Sequence, residues 1–272
     1  MKFLRVAFKT LLLPTGRAFQ GTGKGVCFLI YHRVGCGTQD ETDLAPSLFR
    51  KQMKYLRSMG AVVPFASALE TLRAPKGLEQ DLFVITFDDG FADFRRHVYP
   101  VMLDFSLPAM LFVTSGFVEG EEPDPGEHPG MRREEQLTWD ELGKMEESGL
   151  VTLGAHTHSH RPLPGMTAEQ VSEELERSNE TFKRRLGFVP RHFAYPFALE
   201  DKTSDSVVRR YYETAVIGGG VKASPGCHDS HRIPRVPVRR SDGWLLFLAK
   251  IHGYLAAEEK VYGYFRRKRA GL

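Results

Sequence analysis

Two adjacent carboxylates, Asp88 and Asp89, directly follow the apolar run from Leu82 to Phe87 and precede Gly90. In barrels built from parallel strands, catalytic groups gather where strands reach their carboxyl ends. Asp-Asp-Gly is also an ordinary turn sequence, because glycine readily adopts positive φ. The pair therefore marks a candidate site that needs support from elsewhere in the chain.

That support comes from three histidines within five residues, His156, His158 and His160. Imidazoles four residues apart can be directed at one point, and two neutral nitrogens can then chelate one metal ion. The alternatives are a solvated polar loop or a histidine that is buried with its hydrogen bonds satisfied.

The two segments together predict a hydrolytic metal site. Two histidines and one carboxylate form a three-ligand set that leaves a coordination position open for water, and a second carboxylate beside them can act as a base. Neighbouring side chains on an extended segment point in opposite directions, so one aspartate can face the metal and the other the water. The sequence alone does not assign Asp88 and Asp89 to these two roles.

The elements that must position these residues alternate between strands and helices, which predicts a parallel sheet in an α/β fold. The clearest helix runs from Thr167 to Leu186, because Thr167 and Gln170 form a capping box and Gly187 ends the helix. The stretch from Val118 to Arg133 is predicted to be a long loop. Strands are predicted at Val26 to Tyr31, Leu82 to Phe87, Ala109 to Thr114, Val151 to Gly154, Phe193 to Tyr195, Thr214 to Ile217 and Arg235 to Val238.

Composition limits the function classes. The chain has 272 residues, of which 42% are hydrophobic and 26% charged, so it is long enough for one catalytic domain with a sizeable core. Its net charge is +3, but the first 25 residues contribute +5, and the remainder is therefore weakly acidic. This distribution argues against a nucleic-acid partner. Three scattered cysteines indicate neither a disulfide framework nor a cysteine metal site.

The termini are expected to be extensions of the catalytic domain, which we assign to residues 26–245. Residues 1–25 form a basic extension, in which Lys2, Arg5 and Lys9 share one face of a predicted amphipathic helix. That pattern favours peripheral contact of residues 1–14 with an anionic membrane; the alternative is a helix packed on its own domain. Residues 246–272 form a C-terminal helix and a basic tail. No signal peptide is predicted, so we expect a cytoplasmic enzyme, located in part at the inner membrane surface.

The two motifs identify a family resemblance. The chain resembles polysaccharide deacetylases of carbohydrate esterase family 4, whose first motif reads T-F-D-D-G and whose second reads H-[ST]-x-x-H; both are present here. The resemblance implies a distorted, incomplete (β/α) barrel in a single domain. It also implies that Asp88 is the general base and that Asp89, His156 and His160 bind one divalent metal ion. Zinc is the expected ion, with cobalt or nickel as alternatives.

The third motif departs from the family pattern. Where the family has R-x-P-Y, this chain has Ala194-Tyr195-Pro196-Phe197. The resemblance implies that the Phe197 N–H helps to stabilise the oxyanion, but the arginine that normally holds the catalytic aspartate is replaced by Ala194. We predict that Arg235 orients Asp88 instead, because a guanidinium can bind a carboxylate through two hydrogen bonds. The alternative is a surface arginine.

The general acid has two candidates. His252 is an imperfect match to the family's fifth-motif histidine, whereas His32 follows the first predicted strand, and strand ends converge on the site. We favour His32. Three aromatic residues, Trp139, Tyr195 and Phe197, could stack on a sugar ring, although aromatic residues near strand ends are more often part of the core.

The combined prediction is a metal-dependent hydrolase that removes the N-acetyl group of an amino sugar in a polysaccharide, an oligosaccharide or a lipid-linked precursor. A deformylase or amidase on the same scaffold and a catalytically silent glycan-binding module are the alternatives. A two-histidine, one-carboxylate iron oxygenase fits less well, because Asp89 lies far from His156 in the sequence.

Overall fold

The computed structural model describes residues 6, 9–10, 23–74, 77–121, 136–226, 229–269 and 271. Within them, seven parallel strands close into a barrel in the order β1-β4-β5-β6-β7-β8-β9, and β2 and β3 form a separate two-stranded sheet. The strands are β1 (Val26–Tyr31), β2 (Arg33–Val34), β3 (Asp43–Leu44), β4 (Leu82–Phe87), β5 (Ala109–Val113), β6 (Val151–Ala155), β7 (His192–Ala194), β8 (Thr214–Gly218) and β9 (Ile233–Pro237).

Helices surround the barrel. They are α1 (Pro46–Ser58), α2 (Phe65–Arg73), α3 (Tyr99–Phe105), α4 (Ser115–Glu119), α5 (Trp139–Glu147), α6 (Ala168–Leu186), α7 (Lys202–Tyr211), α8 (Leu245–Ile251) and α9 (Ala256–Arg269), and a π-helix, Phe94–Val98, precedes α3. The predicted α/β barrel is therefore confirmed. Every predicted barrel strand is present, and the bounds differ by at most two residues at either end.

The apolar run of β4 is covered on both faces, as its composition predicted. Phe83, Ile85 and Phe87 point outward and pack with Phe49 and other residues of α1. Val84, on the opposite face, belongs to a second cluster inside the barrel. The next two inward positions are polar, Thr86 and then Asp88. Along the inward face of the strand, the side chains therefore change from apolar core residues to the residues of the candidate site.

The barrel departs from the eight-stranded form in two ways. It has seven strands in the described part of the chain, and their pairing is uneven. Five residue pairs join β5 to β6, but a single pair, Ala155 with Phe193, joins β6 to β7. The loose join lies between the strands that carry the second and third motifs, so the wall of the barrel is distorted next to the candidate site.

The prediction for α6 is confirmed in detail. The Thr167 hydroxyl accepts from the Gln170 N–H, the Gln170 side chain accepts from the Thr167 N–H, and Gly187 ends the helix with φ of 79°. The predicted loop from Val118 is partly wrong, because α4 extends to Glu119. That helix packs against α6, which explains why the polar stretch does not become a loop until after Gly120. Residues 122–133 of the predicted loop lie outside the described residues.

Lys9 is buried, which corrects part of the predicted membrane-facing surface. Its Nζ lies 2.5 Å from an Asp242 carboxylate oxygen, donates to Ser241 Oγ at 2.7 Å and lies 3.3 Å from Glu258. Asp242 and Glu258 also pair with Lys250 of α8. Lys9 therefore contacts its own domain, which favours the alternative interpretation for this residue; Lys2 and Arg5 lie outside the described residues.

The same cluster joins segments from both ends of the chain. Arg239, just after β9, contacts Glu258 and Glu259 of α9, so three cations face three carboxylates in a site that water barely reaches. A Pro237 carbonyl at the end of β9 accepts from Lys250 Nζ at 2.9 Å. The cluster thus ties the N-terminal segment and the last two helices to the strand that carries Arg235. No helix in the described residues is long and apolar enough to cross a bilayer.

We predict that Lys9→Met lowers the free energy of unfolding by about 3–5 kcal/mol, because removing one partner of a buried ion pair leaves an uncompensated charge. Urea unfolding followed by circular dichroism measures the change. The exposed Lys54, on α1, provides the matched control, and Lys54→Met is expected to change stability by less than about 0.5 kcal/mol. Equal stability of the two variants would show that Lys9 does not complete the cluster.

Candidate metal and catalytic site

The predicted site residues come from strand ends on one side of the barrel. Asp88 and Asp89 follow β4, His156 follows β6, Phe197 follows β7, and His32 follows β1. Parallel strands expose their carboxyl ends at the same end of the barrel, so residues more than 160 positions apart in the chain come together. Arg235 lies within β9 and is the exception, because it reaches the site from the interior.

Asp89, His156 and His160 form the predicted metal-ligand set. Each offers one ligand atom, and these atoms lie within 4.8 Å of one another. The Asp89 Oδ1 atom is 3.5 Å from His156 Nε2 and 3.3 Å from His160 Nε2. That oxygen is buried without a hydrogen-bond partner, and the two imidazole nitrogens lie only 3.1 Å apart. A divalent cation among the three atoms would explain an arrangement that is otherwise costly to bury.

The protonation state of His156 suits metal binding. Its Nδ1 lies 2.7 Å from the Ala194 carbonyl, which can only accept, so Nδ1 carries the hydrogen and Nε2 presents a lone pair. Burial lowers the pKa of His156 to about 4, although the charge of Asp88 opposes the shift. Burial opposes ionisation of Asp89, but the nearby His160, His32 and His156 hold the pKa of that carboxyl below its usual value. One anionic and one neutral ligand are therefore ready near pH 7.

The structure contains the predicted contact between Arg235 and Asp88. Arg235 Nη1 and Nη2 donate to the two oxygens of Asp88, each at 2.7 Å, and Nη1 also donates to Thr86 Oγ1 at 3.1 Å. The guanidinium lies over the Phe112 ring, 5.3 Å from its centre, and Arg235 is only 1% exposed. It is thus a buried interior residue and not a surface arginine. Burial disfavours the ionised carboxyl of Asp88, but Arg235, together with His156 and His32, lowers the pKa of Asp88 below its usual value.

The backbone of the site is strained. Six non-glycine residues in the described chain have positive φ, and five of them are Asp89, Thr157, His160, Phe197 and Ala198. Such conformations cost about 1–3 kcal/mol each for residues other than glycine, and they persist where surrounding contacts hold them. These five residues lie in the three motif segments. The tertiary fold therefore holds the backbone there in a conformation that the residues would not prefer on their own.

The three aromatic residues predicted to contact a sugar differ in their exposure. Phe197 lies beside the metal ligands, with its ring 4.8 Å from that of His160, and is 36% exposed. Tyr195 is 1% exposed and packs on Phe193, and its hydroxyl donates to Asp205 at 3.2 Å. The prediction that Tyr195 stacks on substrate is therefore wrong, because the alternation of β7 turns its ring into the layer between barrel and helices.

Trp139 is also a core residue. It opens α5 and packs edge-on against Phe182 of α6, with the ring centres 5.2 Å apart. It is 8% exposed and belongs to the main hydrophobic cluster outside the barrel. The predicted contact with a sugar is replaced by helix packing, which is the more frequent role for an aromatic residue at a helix start.

The structure separates the two candidates for the general acid. His32 is half-buried at the end of β1, and its charge bears on both Asp88 and Asp89. His252 ends α8 near Lys222, Asp81 and Lys24. Partial burial lowers the pKa of His252, the charges of Lys222 and Lys24 lower it further, and the Asp81 carboxylate opposes the shift. Asp81 and Lys24 precede β4 and β1, so His252 lies at the amino end of the barrel, away from the metal ligands.

Sequence reasoning missed several residues that hold the ligand segment. Ser115 and Glu121 contact the His158 ring, and Glu174 accepts two hydrogen bonds from Ser159. Glu174 had a detectable signal, since it lies three residues after Val171 and four before Ser178 on the buried stripe of α6. A carboxylate on a buried stripe needs a partner.

Comparison with known proteins decides the family. The polysaccharide deacetylase family model matches residues 76–216, just over half of the chain. The chain belongs to the polysaccharide deacetylase family. The predicted resemblance to carbohydrate esterase family 4 is thereby confirmed, and the carbohydrate deacetylase class of enzyme is supported.

Individual relatives agree with this assignment. YxkH of Bacillus subtilis, which is named as a polysaccharide deacetylase, is 24% identical over 75% of this chain and 69% of its own length. The poly-β-1,6-N-acetyl-D-glucosamine N-deacetylase of Escherichia coli K12 is 29% identical over 50% of this chain, but the match spans 21% of that protein. The structure of IcaB from Ammonifex degensii is 28% identical, with a TM-score of 0.72, over 84% of this chain and 97% of that one.

We predict that Arg235→Ala lowers kcat by about 100-fold, the lower end of what a positioned base contributes. Loss of the guanidinium removes the strongest opposition to burial and raises the pKa of Asp88, so the acidic limb of the pH profile moves to higher pH. Arg235→Lys keeps the positive charge but loses the bidentate contact. Its kcat should therefore lie between those of the wild type and of Arg235→Ala. A pH profile of Arg235→Ala that overlays the wild type would contradict this role.

Proposed function

We propose that this deacetylase removes the N-acetyl group of an amino sugar by metal-assisted hydrolysis. One observation carries the proposal: Asp88, held by a buried arginine, lies directly beside a three-ligand set in which the buried Asp89 Oδ1 atom faces the two imidazole nitrogens. A structural metal site needs no such base, and a binding module needs no strained ligand segment.

The ligand set fits a divalent ion, with zinc proposed and cobalt or nickel as alternatives. Two imidazoles and one carboxylate are typical of catalytic zinc sites, which keep a position open for water. When bound, the ion would polarise the acetamide carbonyl and activate water for attack. Asp89, His156 and His160 would hold it.

The remaining steps belong to the chain itself. Asp88 lies 4.0 Å from His156 Nε2, close enough to the ligand set to take a proton from the attacking water. Because Arg235 binds both oxygens of Asp88, the carboxylate keeps one orientation through the reaction. His32 is proposed to protonate the leaving amine. The Phe197 N–H, on a backbone turned by positive φ, is proposed to donate to the oxyanion.

The proposed substrate is an N-acetylated polysaccharide, oligosaccharide or lipid-linked glycan. The Escherichia coli relative is named for deacetylation of poly-β-1,6-N-acetyl-D-glucosamine, which supports a glucosamine-containing chain. The exposed ring of Phe197 beside His160 offers a surface on which a sugar can stack. Deformylation differs only in the acyl group, and a parallel assay for formate release separates the two.

We predict acetate release from N-acetylglucosamine oligomers that stops on chelation and returns when zinc is added. Asp88→Asn should lower kcat by about 100-fold or more while zinc binding persists, because the amide cannot take the proton. Asp104→Asn, at an exposed ion pair on α3, is the matched control and should retain full activity. Acetate release that survives both chelation and Asp88→Asn would overturn the mechanism.

For His32, we predict that His32→Gln lowers kcat by about 100-fold and removes the alkaline limb of the pH profile. A general acid must be protonated to donate, so its ionisation limits activity as the pH rises. His252→Gln is the control, because His252 lies at the other end of the barrel. An unchanged alkaline limb in His32→Gln would contradict the assignment.

Peripheral contact with an anionic membrane stays a proposal, as does a cytoplasmic location. Lys9 is buried and does not support the membrane contact. The C-terminal helix supports it, because Tyr264 and Phe265 are exposed in α9 beside Lys268. Aromatic rings next to basic residues suit the headgroup region of anionic lipids. Flotation of the protein with phosphatidylserine vesicles tests the contact, and equal recovery with phosphatidylcholine vesicles would argue against it.

A further inference from the structure

The segment between the two ligand histidines holds an unfavourable backbone conformation. Thr157 has φ of 63° and His160 has φ of 58°. Thr157 is β-branched, so its strain is particularly costly in this region of conformational space. Both residues are buried, and the segment can stay in place only if neighbouring elements hold it.

Helix α4 holds the segment from one side. The Ser115 N–H donates to the Thr157 carbonyl at 3.3 Å, and the Gly116 N–H donates to the His158 carbonyl at 2.9 Å. A Cβ atom at position 116 would lie 2.6 Å from that carbonyl oxygen, so only glycine permits the approach. Two backbone carbonyls between the ligands are therefore fixed by a separate element.

The His158 ring is fixed at both nitrogens. Its Nε2 lies 2.9 Å from a Glu121 carboxylate oxygen, and its Nδ1 lies 2.9 Å from Ser115 Oγ. Since the ionised carboxylate only accepts, Nε2 carries hydrogen, and the Ser115 hydroxyl can donate to Nδ1. With both nitrogens bound in this way and the ring 3% exposed, His158 is not a third imidazole ligand.

Helix α6 holds the segment from the other side. Glu174 accepts from the Ser159 N–H at 3.0 Å and from the Ser159 hydroxyl at 2.8 Å. The residue is 7% exposed, so these contacts are shielded from water. The three residues between His156 and His160 are thus bound by two helices that contribute nothing to the ligand set itself.

We propose that His158, held by Ser115 and Glu121, is a positioning residue that sets the separation of the His156 and His160 nitrogens and thereby the affinity for the metal. The inference rests on the metal site of the proposed function. Outer residues that orient metal ligands typically change metal affinity or activity by about 10–100-fold when removed. A purely structural role would instead change stability and leave the affinity of the folded protein unaltered.

The test measures zinc affinity directly, by competition with a chromophoric chelator, and the ligand field of bound cobalt by visible absorption. His158→Phe keeps the ring but loses both contacts, and is expected to weaken zinc binding about 10–100-fold and to alter the cobalt spectrum. His158→Gln can still reach Glu121, and His158→Asn can still reach Ser115. Each should recover part of the lost affinity.

Glu119→Gln provides the matched control. Glu119 lies on α4, two residues before Glu121, and pairs with Arg184 and Arg185 of α6. It does not touch the ligand segment in the described contacts, so this variant should bind zinc like the wild type. A loss equal to that of His158→Phe would show that any weakening of the helix suffices, and would overturn the inference.

Two milder variants keep the inference falsifiable if His158→Phe does not fold. Ser115→Ala and Glu121→Ala each remove one contact, and each is expected to weaken zinc binding about fivefold, the effect of one hydrogen bond. Wild-type affinity and cobalt spectrum in both would refute the role of His158. Failure of the wild type to bind zinc would refute the metal site and this inference together, whereas zinc binding without acetate release would contradict only the proposed reaction.

Discussion

The ion pair between Arg235 and Asp88 is the constraint on which the site depends. A carboxylate inside a barrel is strongly disfavoured unless a cation meets it with good geometry, and here a guanidinium from β9, two strands away around the barrel, binds both oxygens. The pair links β9 to the end of β4 across β1, which lies between these strands and pairs with both. The interior below this pair is an apolar cluster, and the charged residues lie toward the carboxyl ends of the strands.

This arrangement explains how the chain tolerates Ala194 at the position where the family resemblance implied an arginine. The Ala194 side chain packs inside the barrel, and its carbonyl accepts from His156 Nδ1. The guanidinium comes instead from the interior face of β9, with Thr86 and Phe112 around it. The charge that orients Asp88 is retained, although it arrives from another strand.

The second feature of the molecule is a strained backbone at the site, which contacts from neighbouring helices hold in place. Positive φ angles occur at two of the three candidate ligands, Asp89 and His160, and at Thr157, which follows the third. Contacts from α4 and α6 fix the segment that contains the two histidines, and the ionic cluster around Asp242 fixes the end of β9. Rigid surroundings suit a site in which three ligand atoms must meet within a few ångströms.

The sequence determined the fold and the centre of the site. Periodicity located the barrel strands and the capped helix α6, because apolar runs and capping residues act locally. The two motifs supplied the three residues that could hold a metal ion and the proposed base. Arg235 was predicted because Ala194 stands where the family motif has an arginine. The carboxylate of Asp88 then needs another positively charged partner.

Only the tertiary structure decided the direction of side chains and the burial of charge. Tyr195 and Trp139 had the right residue type for sugar contact, but the facing of β7 and the packing of α5 on α6 turned them into the core. Lys9 looked like a surface cation until its carboxylate partners, more than 200 positions away in the chain, were located beside it. Such contacts depend on how distant elements pack, and no local pattern in the sequence encodes that packing.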